Sequence, residues 1–125
     1  MERKKDKNPY VALERVFHEP NRLAIMSTLG GAVEGLSFGE LKDQCNLTDG
    51  NLSRHLKTLV EADAIRLDKR FVGSRPRTTV YLTHAGRDGF VAYLKALEEV
   101  LQVAAEAMVT DPSQLTFFGE MRDSI

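Results

Sequence analysis

Between Thr48 and Leu82 the hydrophobic period of the chain changes once, and that change limits its folds more than any other feature. Leu52, Leu56, Leu59 and Val60 form one apolar stripe at helical spacing, with Thr48 placed to cap the helix that carries them. After Glu61-Ala62-Asp63-Ala64 the period drops to two. Ile65, Leu67, Lys69 and Phe71 alternate with Arg66, Asp68, Arg70 and Val72. Gly73-Ser74-Arg75-Pro76-Arg77 reads as a turn, and Thr78 to Leu82 as a second strand with Val80 and Leu82 facing in. The expected unit is a helix running straight into a β-hairpin with a basic tip.

The flanking sequence supplies more helices. Residues 1–8 are a charged, polar arm, and Pro9 with Asn8 as cap suits the start of a helix through Val11, Leu13, Val16 and Phe17. His18-Glu19-Pro20-Asn21 interrupts it. A second helix begins at Pro20 or Asn21, turns Leu23, Ile25 or Met26, and Leu29 inward, and stops at Gly30-Gly31. Leu36-Ser37-Phe38 is a short extended piece, and Ser37 caps a third helix, Phe38 to Cys45, closed by Asn46. Thr83 caps a long last helix reaching Met108. Along it Phe90, Leu94, Leu97, Leu101, Ala104 and Met108 recur at spacings of four and three, flanked by Val91, Val100, Val103 and Ala107. Thr110-Asp111-Pro112-Ser113 halts that helix, and Leu115, Phe117 and Phe118 would dock a short tail. The division expected is a core of residues 9–82, a helix of residues 83–109 and a tail of residues 110–125. The class is mainly α with a small β-hairpin (α+β).

Composition excludes several functions. With 42% hydrophobic and 28% charged residues the chain reads as one ordinary globular domain, long enough to bury a core. The single cysteine, Cys45, allows no internal disulfide. No apolar run approaches membrane-spanning length, and Met1-Glu2-Arg3-Lys4-Lys5 leads into no hydrophobic leader core, so a cytoplasmic location without membrane contact is expected. His18, His55 and His84 are widely spaced and lack carboxylates at ligand spacing, so neither a metal nor a cofactor is expected. A nucleophile elbow and a phosphate loop are both missing, which argues against an enzyme. The net charge of −1 hides a segregation. Lys69 to Arg87 holds five basic residues and no acid, whereas Asp88 to the end holds seven acids against Lys95 and Arg122. One face is thereby suited to an anionic partner.

At about 100° per residue, the side of the 48–62 helix opposite its leucines carries Gly50, Asn51, Arg54, Lys57, Thr58 and Glu61. Arginine bonds guanine O6 and N7 in bidentate fashion, asparagine pairs with adenine, and lysine neutralises phosphate. Gly50 lets the backbone approach a phosphate at a helix N-terminus. His55 lies on the flank of this helix, placed for a phosphate or a supporting contact. Arg75 and Arg77, about the rigid Pro76, suit backbone phosphates or a minor groove. Helices followed directly by a hairpin form the winged-helix order. The pair Phe38–Cys45 and Thr48–Ala62, joined at Asn46-Leu47, is then a helix-turn-helix with its second helix in the major groove. The DNA-facing residues expected are Thr48, Gly50, Asn51, Ser53, Arg54, Lys57, Thr58, Arg75 and Arg77, with residues 69–79 as the wing.

The run from Leu47 to Lys57, the segment Arg75-Pro76-Arg77-Thr78-Thr79-Val80-Tyr81-Leu82-Thr83-His84-Ala85-Gly86-Arg87, and His18 to Ile25 closely resemble the stand-alone winged-helix regulators near the MarR and ArsR groups. The likeness spans roughly residues 10–100. It implies a dimeric DNA-binding regulator, with the helix of Asn51 and Arg54 as reader and the hairpin as wing. Two departures stand out. Asp63 replaces the glycine usual after the reader helix, which Asp tolerates because it adopts left-handed backbone more readily than most residues. Cys45 stands alone where ArsR-like metal sensors carry paired cysteines, so no thiol metal site follows and a buried structural thiol is expected.

The stripe Phe90, Leu94, Leu97, Leu101, Ala104 and Met108 exceeds what so small a core covers, and a two-fold homodimer would bury it. The function expected is a homodimeric repressor on a palindromic operator of double-stranded DNA, with an unidentified small-molecule effector compatible. The rival reading is a winged helix that binds protein instead of DNA.

Overall fold

The computed structural model describes residues 14–109. Its elements are α1 (Pro20–Gly30), β1 (Leu36–Ser37), α2 (Phe38–Cys45), α3 (Asp49–Glu61), β2 (Ile65–Val72), β3 (Arg75–Leu82) and α4 (His84–Met108). The helix expected from Pro9 falls largely, and the tail with Leu115, Phe117 and Phe118 wholly, outside the described residues. Arg15 to Phe17 form a turn.

Local chemistry sets the helix limits. Glu19 caps α1, its carboxylate accepting from the Arg22 N–H at 2.8 Å, with Pro20 in the first turn. Ser37 and Glu40 close a reciprocal capping box on α2, at 3.1 and 2.9 Å. Asn46 ends α2 in the left-handed region at φ 56°. Thr48 Oγ1 then accepts from the Asn51 N–H at 3.2 Å and starts α3. Such caps each contribute about 1 kcal/mol. Asp63, after α3, is also left-handed at φ 60°, the conformation its place after the helix demands.

The sheet has the order β1-β3-β2. The extended piece before α2 is its third strand: Leu36 lies opposite Val80 and Ser37 opposite Thr79. The hairpin is tighter than its sequence suggests. Register runs from Ile65 opposite Leu82 to Val72 opposite Arg75, which leaves only Gly73-Ser74 as the turn. Arg75-Pro76-Arg77 therefore belongs to β3, not to a loop. Gly73 at φ 67° supplies the positive dihedral that a two-residue hairpin turn needs. Pro76 is tolerated because β1 pairs only with Thr79 and Val80, so its side of β3 is an unpaired edge there.

Residues Glu14–Ala92 form one compact unit. Ile25, Met26 and Leu29 of α1, Leu41 of α2, Leu52, Leu56 and Leu59 of α3, Ile65 of β2 and Val80 of β3 are buried in its core. Burial of each such side chain contributes roughly 1.5–3 kcal/mol, which fixes α3 by its leucine stripe. Thr83 Oγ1 donates to the Asp63 carbonyl at 2.6 Å and accepts from the Gly86 N–H at 2.8 Å, tying the start of α4 to the turn after α3. Gly86 is obligatory there, since a Cβ would stand 1.9 Å from the Ala64 carbonyl oxygen. The Phe17 and Phe90 rings meet edge to face with centroids 5.4 Å apart.

A second unit takes up α4 from Tyr93. In it Tyr93 and Ala96 are buried, whereas Leu94, Leu101, Val103 and Met108 are exposed. No helix among the described residues is long and apolar enough to cross a membrane.

Candidate nucleic-acid interface

Because the leucines use one side of α3, the opposite side stands open. Gly50, Asn51, Ser53, Arg54 and Lys57 are exposed and Thr58 is half-buried. Thr48, just before them, holds the cap, and the Thr58 hydroxyl donates to the Arg54 carbonyl at 3.3 Å. Arg54 Nη2 donates to Asn51 Oδ1 at 3.0 Å. That bond holds the two exposed side chains together and leaves the Asn51 amide N–H groups and the other guanidinium donors for an external partner. A Cβ at Gly50 would meet nothing within 4 Å, so the first turn of α3 is open.

The hairpin sorts its charges by strand periodicity. Arg75 and Arg77, two apart, share one face, and the register puts Arg70 directly opposite Arg77. Like charges in that position repel. Each has a carboxylate: Asp68 Oδ2 at 2.6 Å from Arg70 Nη2, and Glu40 Oε1 at 3.9 Å from Arg77 Nη2. The hydrogen bond from the Ser37 backbone, chief among several causes, holds the Glu40 carboxyl below the usual carboxylate range. These are exposed pairs, weak enough for phosphate to replace. Ser53 and Lys57 of α3 and Lys69 and Thr78 of the hairpin line one open groove of about 490 Å³, together with Leu56 and Leu67. The exposed side of α3 and the hairpin thus share one groove, with a lysine from each in its lining.

Of the two contacts expected of His55, the structure shows the supporting one and not the phosphate one. His55 is 2% exposed and lies on the inner side of α3, out of reach of an external phosphate. Its Nδ1 is 3.2 Å from Arg22 Nη1 and 3.9 Å from Glu19 Oε1, and its Nε2 is 3.4 Å from the Asn21 side-chain amide. Arg22 in turn donates from Nε to the Val16 carbonyl at 2.7 Å. Arg22 is donor only, so the neutral ring accepts from it at Nδ1, and Asn21 Nδ2 is the amide atom that faces Nε2. Burial pushes the imidazole pKa down, the nearby Glu19 charge opposes this, and Arg54 and Arg22 reinforce it. The network joins the start of α1 to the middle of α3. Residues more than thirty positions apart carry it, and no local pattern signals it.

Cys45 is half-buried, with Sγ 3.7 Å from Thr28 Oγ1. Among the described residues, no three or more His, Cys, Asp or Glu side chains are grouped to hold a metal ion.

A helical pair whose second member shows a polar face, followed at once by a basic two-stranded ribbon and a third short strand, defines a winged helix. Residues 21–101 match the family model of the winged helix DNA-binding domain, and the chain belongs to that family. It is 36% identical over 90 residues to an uncharacterized protein of Methanocaldococcus jannaschii, an alignment covering 72% of this chain and 94% of that protein. A transcriptional regulator homologue from Pyrococcus horikoshii superposes with a TM-score of 0.69 at 25% identity, over 82% of this chain and 98% of its own. A MarR-family transcriptional regulator from Silicibacter pomeroyi shares the fold with a TM-score of 0.57 at 18% identity, over 95% and 78%. So does MepR of S. aureus, solved as a DNA complex, with a TM-score of 0.64 at 18% identity, over 97% and 91%. The chain is thus a member of the winged helix DNA-binding domain family, with a fold shared by MarR-family regulators.

Proposed function

We propose that the chain binds double-stranded DNA as a homodimeric repressor, with α3 in the major groove and the β2–β3 wing on the flanking backbone or minor groove. Thr48, Gly50, Asn51, Ser53, Arg54, Lys57 and Thr58 form the reader surface, and Arg75 and Arg77 the wing contacts. The observation that carries this reading is the shared groove, lined by Lys57 of α3 and Lys69 of the hairpin with Glu61 as its one acid, on a helix that also exposes Arg54. A duplex seated on α3 then meets cations from both elements at once. Its partners in this reading are a palindromic operator, a second copy of the chain held along Leu94, Leu97, Leu101, Ala104 and Met108, and a small-molecule effector. Phe90 is buried against Phe17 and is left out of that seam.

Selection of bound sequences from a random duplex pool tests the reading. The expected result is an enriched palindrome with half-sites roughly 34–36 Å apart and retention that falls steeply with salt. A chain that enriches no sequence and is not retained on duplex DNA at low salt is not this regulator, and the same fold would then serve protein binding.

A further inference from the structure

We propose that the wing tip is an apolar wedge: Phe71, backed by Pro76, enters the minor groove beside the reader helix and kinks the duplex. The proposal rests on the DNA-binding reading above and adds to it a residue and a DNA deformation. Ile65, Leu67, Lys69 and Phe71 share one face of β2, yet burial fades along them from buried to half-buried to exposed. The ribbon outruns its core. At its end Phe71 is 72% and Val72 is 59% exposed.

A lone exposed aromatic is ordinary. This one has a particular setting. Pro76 is its cross-strand partner, a rigid ring on the same face. Lys69 and Arg70 precede it, Arg75 and Arg77 stand across the turn, and no acidic residue occurs between Lys69 and Arg87. The opposite face of the ribbon carries Arg70, Arg75 and Arg77. The Phe71–Pro76 pair, with Lys69 behind it on the same face and arginines on the other, complements a groove whose walls are phosphate and whose interior is sugar and base edge. An undistorted minor groove is about 6 Å wide and does not admit a ribbon bearing a phenyl ring. It must open, and apolar wedges there unstack a base step and bend the duplex toward the major groove. That bend draws the DNA onto α3. Flexible pyrimidine–purine steps are then preferred at positions that α3 never touches.

The test uses the full chain and a duplex recovered from the random-pool selection, end-labelled for energy transfer and carrying 2-aminopurine at the flanking step. Wild type is expected to shorten the end-to-end distance and raise the 2-aminopurine fluorescence. Phe71→Ala should abolish both signals and weaken binding about tenfold while keeping the salt slope, and Phe71→Leu should retain both. Because Phe71 is exposed, each variant should melt like wild type. A straight duplex in the wild-type complex, or Phe71→Ala bending as wild type does, overturns the wedge while leaving DNA binding intact. Failure of wild type to bind any duplex overturns the DNA-binding reading itself.

Discussion

Arg54 and Asn51 are bonded to each other before any partner arrives, which stiffens two flexible side chains at the centre of the α3 face. Arg54→Ala is expected to weaken specific binding by roughly 1–3 kcal/mol and to relax one base position. Competition binding against single-base variants of the selected site checks this, and equal losses on selected and random duplexes would make Arg54 a phosphate contact. His55 supplies the second prediction at this scale. Its imidazole is held below the ordinary value of 6.5 by burial, so the folded chain resists a proton that the unfolded chain accepts. Stability from this group is whole above pH 6.5 and declines as pH falls below it, until the folded imidazole also protonates. The slope is at most about 1.4 kcal/mol per pH unit. Urea unfolding between pH 7.5 and 5 should show that decline, and His55→Gln should flatten it. A His55 proton titrating at or above 6.5 in the folded chain would reverse the sign and defeat the account. Neither feature has the same standing in the sequence. The exposed position of Arg54 follows from the helical period of its own segment, but the burial of His55 depends on Glu19, Asn21 and Arg22, which no periodicity in α3 reveals.

The elements were legible wherever a cap or a period decides them. Ser37, Thr48 and Thr83 mark helix starts by side-chain hydrogen bonds that act within three residues, and Asn46 ends α2 through its left-handed backbone. The hairpin tip was not, because proline and glycine signal a turn without saying how many residues it takes. The two-residue turn at Gly73-Ser74 brings Arg75 and Arg77 into β3, where they project from one face. That arrangement leads to a prediction for the wing. Replacing both with alanine is expected to weaken binding to every duplex alike and to lower the slope of log K against log salt by about one unit per lost phosphate contact. Titrations at several salt concentrations read this directly, and an unchanged slope puts the ribbon off the DNA. The pairing of Leu36-Ser37 with β3 escaped the sequence for another reason. It joins strands more than forty residues apart, and a two-residue strand has no alternation of its own to betray it.

Across the whole molecule the unsettled surface is the apolar stripe of α4. The helix has 25 residues, a length of about 37 Å at 1.5 Å per residue. Its exposed apolar side chains Leu94, Leu101 and Met108 recur at every seventh position, so they form one line along it and not a scatter. Met108 is 80% and Leu101 is 47% exposed. Contiguous apolar surface of this kind is uncommon on a chain that works alone, and the proposed second copy about a two-fold axis would bury it and would match the symmetry of a palindromic operator. The competing account places residues 110–125, with Leu115, Phe117 and Phe118, over the same line within one chain. Leu101→Glu separates the two. At a dimer seam it puts two carboxylates close together, so the variant should sediment as a folded monomer, with operator affinity reduced on the order of a hundredfold because the half-sites no longer act together. Under a folded-back tail, wild type would itself sediment as a monomer at micromolar concentration, and the same substitution would lower the melting temperature without changing the sedimenting mass.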